Sequence, residues 1–123
     1  MSAVKYAKKY VEDVEFVFRE AYRVLKQGGM LLAGLNNEIN YMVDNEEKEI
    51  VWNMPFNPLK DEKAKAFMLA ERSGMQFSHT MTEQIGGQLK AGFILTDIEE
   101  DTNGEGRLHE LHIPSFIATR AVK

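Results

Sequence analysis

Apolar residues near the start of the chain recur at alternating steps of four and three positions, which is the spacing of one face of an α-helix. This stripe predicts a helix within residues 3–26. Asp13 can cap a helix that begins there, so the preceding residues are either helix or an extended arm. The helix is expected to end at Lys26, because a cation followed by Gly28 and Gly29 is a typical stop signal.

The segment MLLAGL, residues 30–35, is an almost continuous apolar run. Such a run is typical of a strand that is covered on both faces of a parallel sheet. Further along, residues 61–73 and 80–91 have helical patterns, and the second begins with a capping box formed by Thr80 and Glu83. Helices on either side of a buried strand indicate an α/β domain.

Two further strands are predicted at residues 93–98 and 114–122. Because only a polar loop joins them, we expect them to pair antiparallel. The whole order predicts an α/β fold with a small three-stranded mixed sheet and helices packed on it. Residues 1–123 are expected to form a single domain, since a chain of this length builds one core.

The helix predicted at residues 80–91 contains two adjacent glycines. Ile85 and Leu89 are expected to form its inward face. Gly86 and Gly87 each cost helix stability, roughly 1 kcal/mol relative to alanine. Such a cost predicts that this helix packs closely on the sheet.

The composition restricts the classes of function. A net charge of −4 gives no general attraction to nucleic acid, and the cluster of Lys5, Lys8 and Lys9 is interpreted as a solvated helical turn. The chain has no cysteine, which fits a reducing cytoplasm and excludes disulfides and thiolate zinc sites. No apolar run approaches the roughly 18 residues that a membrane span requires. We therefore expect a cytoplasmic protein without nucleic-acid or membrane partners.

Three segments carry a resemblance to a known family. EFVFREAYRVLKQGGMLLAGL, residues 15–35, resembles the part of class I S-adenosylmethionine (SAM)-dependent methyltransferases in which a helix ends in RVLKPGG and continues into the fifth strand, with Gln27 in place of the usual proline. SHTMTEQIGGQLKAGFILTDIEED, residues 78–101, is similar to the family's last helix and sixth strand. PSFIATRAVK, residues 114–123, is similar to its seventh strand. The segments follow one another in the order found in type 11-like methyltransferases.

The resemblance implies a partial Rossmann-like methyltransferase fold with the strand order 5-7-6 of the family. The family holds SAM with a glycine-rich turn after its first strand and an acidic residue after its second. The sequence contains no such turn. The resemblance therefore implies the C-terminal, acceptor-side half of a methyltransferase, which alone is expected neither to bind SAM nor to be active. An N-terminal half is its implied partner.

The implied missing half has a consequence for assembly. In the family's order the fifth strand lies between the fourth and the seventh, and the fourth is expected to be absent from this chain. Residues 30–35 would then form an apolar edge strand, which tends to pair with other chains. We therefore expect a homo-oligomer through strand 30–35 or the helix within residues 3–26. Strands of the same chain on both sides of residues 30–35 would contradict this view.

The first candidate substrate-binding residues are Asn36 and Asn37. They stand directly after the strand at residues 30–35, where open α/β sheets bind ligands. In the resembled family this loop approaches the substrate. The alternative is that both asparagines only form a turn, for which their side chains are well suited.

The other candidate substrate-binding residues are Tyr41 and His79. Tyr41, with Trp52 and Phe56, forms either an aromatic wall for an acceptor or the local core of a lid. His79 precedes the last helix and is either a base for the acceptor or a capping residue. The sequence assigns no catalytic residue. The alternative function is a non-catalytic module, derived from a methyltransferase, that dimerises or docks on a partner.

His109 and His112 invite a metal interpretation. Histidines three positions apart in a loop or strand seldom face one ion, and this is not the HExxH spacing of zinc helices. The chain also has no cysteine to complete a site. We therefore predict no metal site and interpret these histidines as solvent-facing.

Overall fold

A computed structural model of the chain describes residues 2–4 and 7–123, with side chains from residue 9 onward. The elements, in chain order, are β1 (Ser2–Val4), a 3-10 turn (Ala7–Tyr10), α1 (Val14–Val24), β2 (Met30–Asn36), α2 (Ile39–Met42), α3 (Glu62–Glu71), α4 (Met81–Ala91), β3 (Ile94–Asp101), α5 (Gly106–Glu110) and β4 (Phe116–Val122). This arrangement confirms the predicted α/β class.

One mixed sheet organises the fold, with the strand order β1-β2-β4-β3. β4 pairs antiparallel with β2 on one side and with β3 on the other. The three long strands therefore have the predicted order, which corresponds to 5-7-6 in the resembled family. The sheet contains a fourth, short strand, because β1 pairs parallel with β2.

The prediction that residues 30–35 form an edge strand is wrong over half of their length. Ser2, Ala3 and Val4 pair with Leu31, Leu32 and Ala33, so strands of the same chain flank β2 on both sides there. The strand that the sequence analysis expected to be absent, the family's fourth, is therefore present as three residues. A strand this short gives no periodic signal. Residues 31–33 are already paired on both sides, so an edge strand does not explain the expected self-association over these residues.

The first helix is shorter than the predicted span of residues 3–26. α1 begins at Val14, where the Asp13 carboxylate accepts a hydrogen bond of 3.0 Å from the Phe16 backbone N–H. A capping carboxylate satisfies a backbone donor that the first helical turn leaves without a partner. Of the predicted lysine cluster, Lys5 lies outside the described residues, and so does the side chain of Lys8.

The main core lies between one face of the sheet and the helices α1 and α4. Its buried members are Val14, Phe18, Leu31, Ala33, Leu35, Phe93, Ile117 and Ala121. A smaller core lies under α3 in the irregular segment, and its buried members are Tyr41, Phe56, Ala64 and Met68. No described helix is long and apolar enough to cross a membrane.

The inward face of α4 agrees with the prediction at Ile85, which packs against the main core, and differs from it at Leu89. Gln84, Gly87 and Gln88 are its buried residues, whereas Leu89 is 53% exposed. A Cβ atom on Gly87 would lie 3.1 Å from Cδ2 of Phe18, so the close approach is to helix α1 rather than to the sheet. The glycine therefore allows two helices to pack at short distance.

The other face of the sheet is more exposed. Gly34, Ala118 and Arg120 are exposed on it, although Leu35 and Ile117, which point to the helices, are buried. Strands of a parallel or mixed α/β sheet usually have helices on both faces. We call this surface the open face and define it by Leu32, Gly34, Ala118 and Arg120, which are aligned by the pairing of β2 with β4.

Candidate functional site

A cavity of about 390 Å³ lies at the carboxyl end of β2. Open α/β sheets bind their ligands at this end, and pockets of this size accommodate small molecules. Its lining residues come from the segment after β1, from β2 and β4, from the α2 region, from β3 and from the start of α4, and are Lys9, Gly34, Asn36, Tyr41, Phe77, His79, Gln84, Glu99, Asp101, Phe116, Ile117 and Ala118.

Asn36 and Tyr41 form one polar pair in this cavity. Asn36 is the last residue of β2, and its side-chain amide donates a hydrogen bond of 3.1 Å to the Tyr41 hydroxyl. The Tyr41 ring is stacked on Phe56 with the ring centres 5.7 Å apart. Burial raises the pKa of Tyr41; the Asn36 hydrogen bond lowers it and the neighbouring Tyr10 raises it further. The hydroxyl therefore stays protonated at neutral pH, where it can donate and accept hydrogen bonds.

His79 is only 6% exposed and lines the same cavity. Its Nδ1 atom lies 3.4 Å from Oε2 of Glu83. Glu83 is itself held in the predicted capping box, because its backbone N–H donates to the Thr80 hydroxyl at 3.1 Å. The carboxylate next to the imidazole is thus fixed by the start of α4, which orients the ring.

Gln84 connects two of the predicted site residues and was missed by the sequence analysis. It is 2% exposed, and its amide nitrogen donates to the carbonyl of Asn36 at 2.9 Å and to the carbonyl of His79 at 2.8 Å. A buried amide that satisfies two carbonyls holds both segments in a fixed relation. A glutamine on a helix gives no signal of this role in the sequence, because its partners are distant along the chain.

Glu38 is a second residue that the sequence analysis did not identify. Its pKa is raised by burial and, to a smaller extent, by the negative charge of Glu83, and His79 opposes the shift. Its Oε1 atom is buried and makes no hydrogen bond among the described residues. Glu38 is not among the residues lining the cavity. Glu38 is therefore a carboxyl group that protonates more readily than usual and whose charge interacts with His79.

Asn37 lies apart from the cavity, unlike the other three predicted site residues. Its side-chain oxygen accepts a hydrogen bond of 3.2 Å from the Ile39 N–H, and its own N–H donates to the Ser115 carbonyl at 3.0 Å. These contacts are those of a turn-forming asparagine. The geometry brings Asn36, Tyr41 and His79 together and gives Asn37 a supporting position in the turn.

Trp52 and Phe56 belong to the smaller core and do not line the cavity. Their ring centres are 5.3 Å apart in an edge-to-face arrangement, and Trp52 also contacts Phe67 at 5.2 Å. His109 lies in α5 with its Nδ1 atom 2.6 Å from the Thr102 hydroxyl. Among the described residues, no group of three or more histidine or acidic side chains could hold a metal ion.

The described residues do not fit the SAM-binding turn of the resembled family. The glycines with positive φ follow a helix, as Gly28, Gly74 and Gly92 do, or lie between β3 and β4, as Gly104 and Gly106 do. In residues 2–4 and 7–123 no glycine-rich turn follows a parallel strand.

A curated relative and several solved structures support the methyltransferase resemblance. The protein of Bacillus subtilis (strain 168) described as uncharacterized methyltransferase YbaJ is 36% identical over 124 residues, which is 95% of this chain. The chain is therefore similar in sequence to a methyltransferase over nearly its whole length. It spans about half the length of YbaJ, 48%. No protein-family model matches it.

The solved structures agree in fold. A SAM-dependent methyltransferase from Mesorhizobium loti has a TM-score of 0.67 at 21% identity, with 98% of this chain and 60% of that chain covered. A putative SAM-dependent methyltransferase from Listeria monocytogenes has a TM-score of 0.64 at 15% identity, with 98% and 59% covered. The chain therefore has the fold of part of such a methyltransferase, and this partial coverage is consistent with the predicted C-terminal half.

Proposed function

We propose that this chain is the acceptor-side half of a SAM-dependent methyltransferase. The observation that carries the proposal is the cavity at the carboxyl end of β2, where Asn36, Tyr41 and His79 converge. In this function the cavity holds the methyl acceptor, and the three side chains orient it by hydrogen bonds while Asn37 supports the turn. Holding two reactants in line is itself a large part of catalysis of group transfer.

The cofactor-holding residues belong, in this proposal, to an N-terminal half that precedes the chain or is supplied separately. Two features support a binding surface for that half on this chain. On the open face, Leu32 is half-buried and Arg120 is exposed, and neither lines the cavity; β1 has a partner only in β2 among the described strands. A further parallel strand beside β1, and helices over the part of the open face outside the cavity, would complete the sheet. The chain alone then has no SAM site and no activity, and its location is the cytoplasm.

Calorimetry with SAM tests this proposal. The chain alone is expected to give no binding heat, and the chain joined to the N-terminal half of YbaJ is expected to bind SAM. Circular dichroism of both samples checks that they are folded. Binding of SAM in the micromolar range by the chain alone, or no binding by a folded joined protein, would overturn the proposal.

The second candidate function is a non-catalytic module for dimerisation or docking on a partner. The same open face favours it, because an uncovered sheet surface is a common contact surface. Association through helix α1 would serve the same end. Sedimentation at micromolar concentration separates the candidates: a concentration-dependent dimer that does not bind the N-terminal half of YbaJ supports the non-catalytic module, and a monomer that binds that half opposes it.

A further inference from the structure

Alternate residues of β3 differ in the side of the sheet that they occupy. Glu99 pairs with Ala118 and Asp101 pairs with Phe116, and all four line the cavity. Glu100, between them, does not line the cavity, although Ile117, with which it pairs, does. The period of two in a strand thus directs one pair of carboxylates to the cavity and keeps the intervening one away.

The remaining cavity lining is largely aromatic. The rings of Tyr41, Phe77 and Phe116 contribute to it. Lys9 is the one lysine or arginine among the described lining residues. Lys9 follows β1, whereas the carboxylates are on β3, and the sheet order puts these strands at opposite edges with β2 and β4 between them. The cavity therefore has its acidic groups at one end and its single lysine at the other.

We propose that this cavity binds a small molecule with an aromatic body and a protonated amine, and that Glu99 and Asp101 receive the amine. The inference deepens the proposed function, on which it rests, by naming the chemical class of the acceptor. Carboxylates attract the ammonium group, and aromatic faces add a cation–π attraction. An acceptor with a carboxylate in place of the amine meets like charges at the same position and binds more weakly.

Two probes with the same ring and opposite charge test the inference. Tryptamine and indole-3-acetate are titrated separately into the isotope-labelled full chain, and the amide NMR signals of Gly34 and Ala118 report on the cavity. Tryptamine is expected to shift these signals saturably, with an affinity that falls at high salt. Indole-3-acetate is expected to bind about tenfold more weakly or not at all. Equal affinities, or tighter binding of indole-3-acetate, would overturn the inference.

Variants of β3 identify the groups that receive the amine. The double variant Glu99→Gln with Asp101→Asn is expected to weaken tryptamine binding by about three- to tenfold, because both carboxylates remain solvent-exposed and screened. Each single variant, Glu99→Gln or Asp101→Asn, is compared with Glu100→Gln, which also removes one negative charge, but from a residue that does not line the cavity, and which is expected to leave the affinity unchanged. An equal loss in Glu100→Gln, or no loss in the double variant, would show that the cavity carboxylates do not bind the amine.

The outcome is separable from that of the proposed function. Tryptamine binding is measured on the chain alone, whereas the proposed function is tested by SAM binding to the joined protein. If SAM binds and tryptamine does not, the amine class is wrong and the acceptor-side function remains. If tryptamine binds and the joined protein does not bind SAM, the methyltransferase proposal fails and the cation site remains.

Discussion

The two faces of the sheet in this protein are built in different ways. On the face towards α1 and α4, Leu31 and Ala121 are fully buried, and Ile117 is buried beside them. On the open face, one position along the same strands, Gly34, Ala118 and Arg120 are exposed. The comparison teaches that the described helices α1 and α4 cover only one face of the sheet. In the proposed function, an N-terminal half supplies the second layer.

The largest expected loss of stability comes from a substitution in the core under the covered face of the sheet. Phe18 is 0% exposed at the centre of the main core, so Phe18→Ala is expected to lower the free energy of unfolding by about 3–5 kcal/mol. Phe16, on the same helix, is 52% exposed, and Phe16→Ala is expected to cost less than about 1 kcal/mol. Urea unfolding measures both. Equal losses would contradict the assignment of the inner face of α1.

The next effect concerns a polar pair within that covered layer. The Gln88 amide donates to the Thr119 hydroxyl at 3.1 Å, and both residues are buried. Gln88→Met leaves that hydroxyl without its partner and is expected to cost about 1–3 kcal/mol. The double variant Gln88→Met with Thr119→Val is expected to lose less stability than the two single variants together, because both polar groups are then gone. Strict additivity of the two changes in a double-mutant cycle would show that the pair makes no net contribution.

Alanine substitutions at the two adjacent glycines of α4 are expected to change the free energy of unfolding by smaller amounts and in opposite directions. Gly86→Ala adds a methyl group 3.8 Å from the Thr82 side chain and is expected to raise stability by about 0.5–1 kcal/mol. Gly87→Ala adds one 3.1 Å from buried Phe18 and is expected to lower stability by about 1 kcal/mol. Thermal or urea unfolding of the two variants gives the signs. A stabilising Gly87→Ala would mean that α1 and α4 can separate without loss.

The smallest expected effect is a pH dependence at the cavity end. Burial raises the pKa of Glu38 above its ordinary value of 4.5. The folded state therefore binds this proton more tightly than the unfolded state, and the stability that this provides is lost as the pH rises from below 4.5 through the folded pKa. Glu38→Gln is expected to remove that loss between acidic and neutral pH, with the exposed Glu100→Gln as the control. Identical pH profiles of Glu38→Gln and the unchanged chain would contradict the shift.

The parts of this fold that the sequence predicted are those with strong local signals. The capping carboxylate of Asp13, the capping box at Thr80 and the apolar run of β2 each depend on residues near one another in the chain. β1 was missed because its three residues show no period, and their pairing with β2 spans a long stretch of chain. The parallel pairing of β1 with β2 is therefore evident only from the three-dimensional structure.

The site was predictable in part for the same reason. Asn36 and Tyr41 are close in sequence and follow a recognisable strand, and His79 precedes a recognisable cap. Gln84 was assigned no role because the carbonyls that it binds belong to other segments. Glu99 and Asp101 could not be assigned to the site from the sequence, since only the register of β3 with β4 directs them to the cavity.

Methyl NMR tests most directly whether an N-terminal half binds to the open face. The methyl-labelled chain is titrated with the separately expressed N-terminal half of YbaJ. The signal of Leu32, on the open face and outside the cavity lining, is expected to shift, and those of Leu31 and Ala33, buried under the helices, are expected to stay in place. Shifts confined to the covered residues, or no shift at a saturating concentration of the added half, would contradict the account.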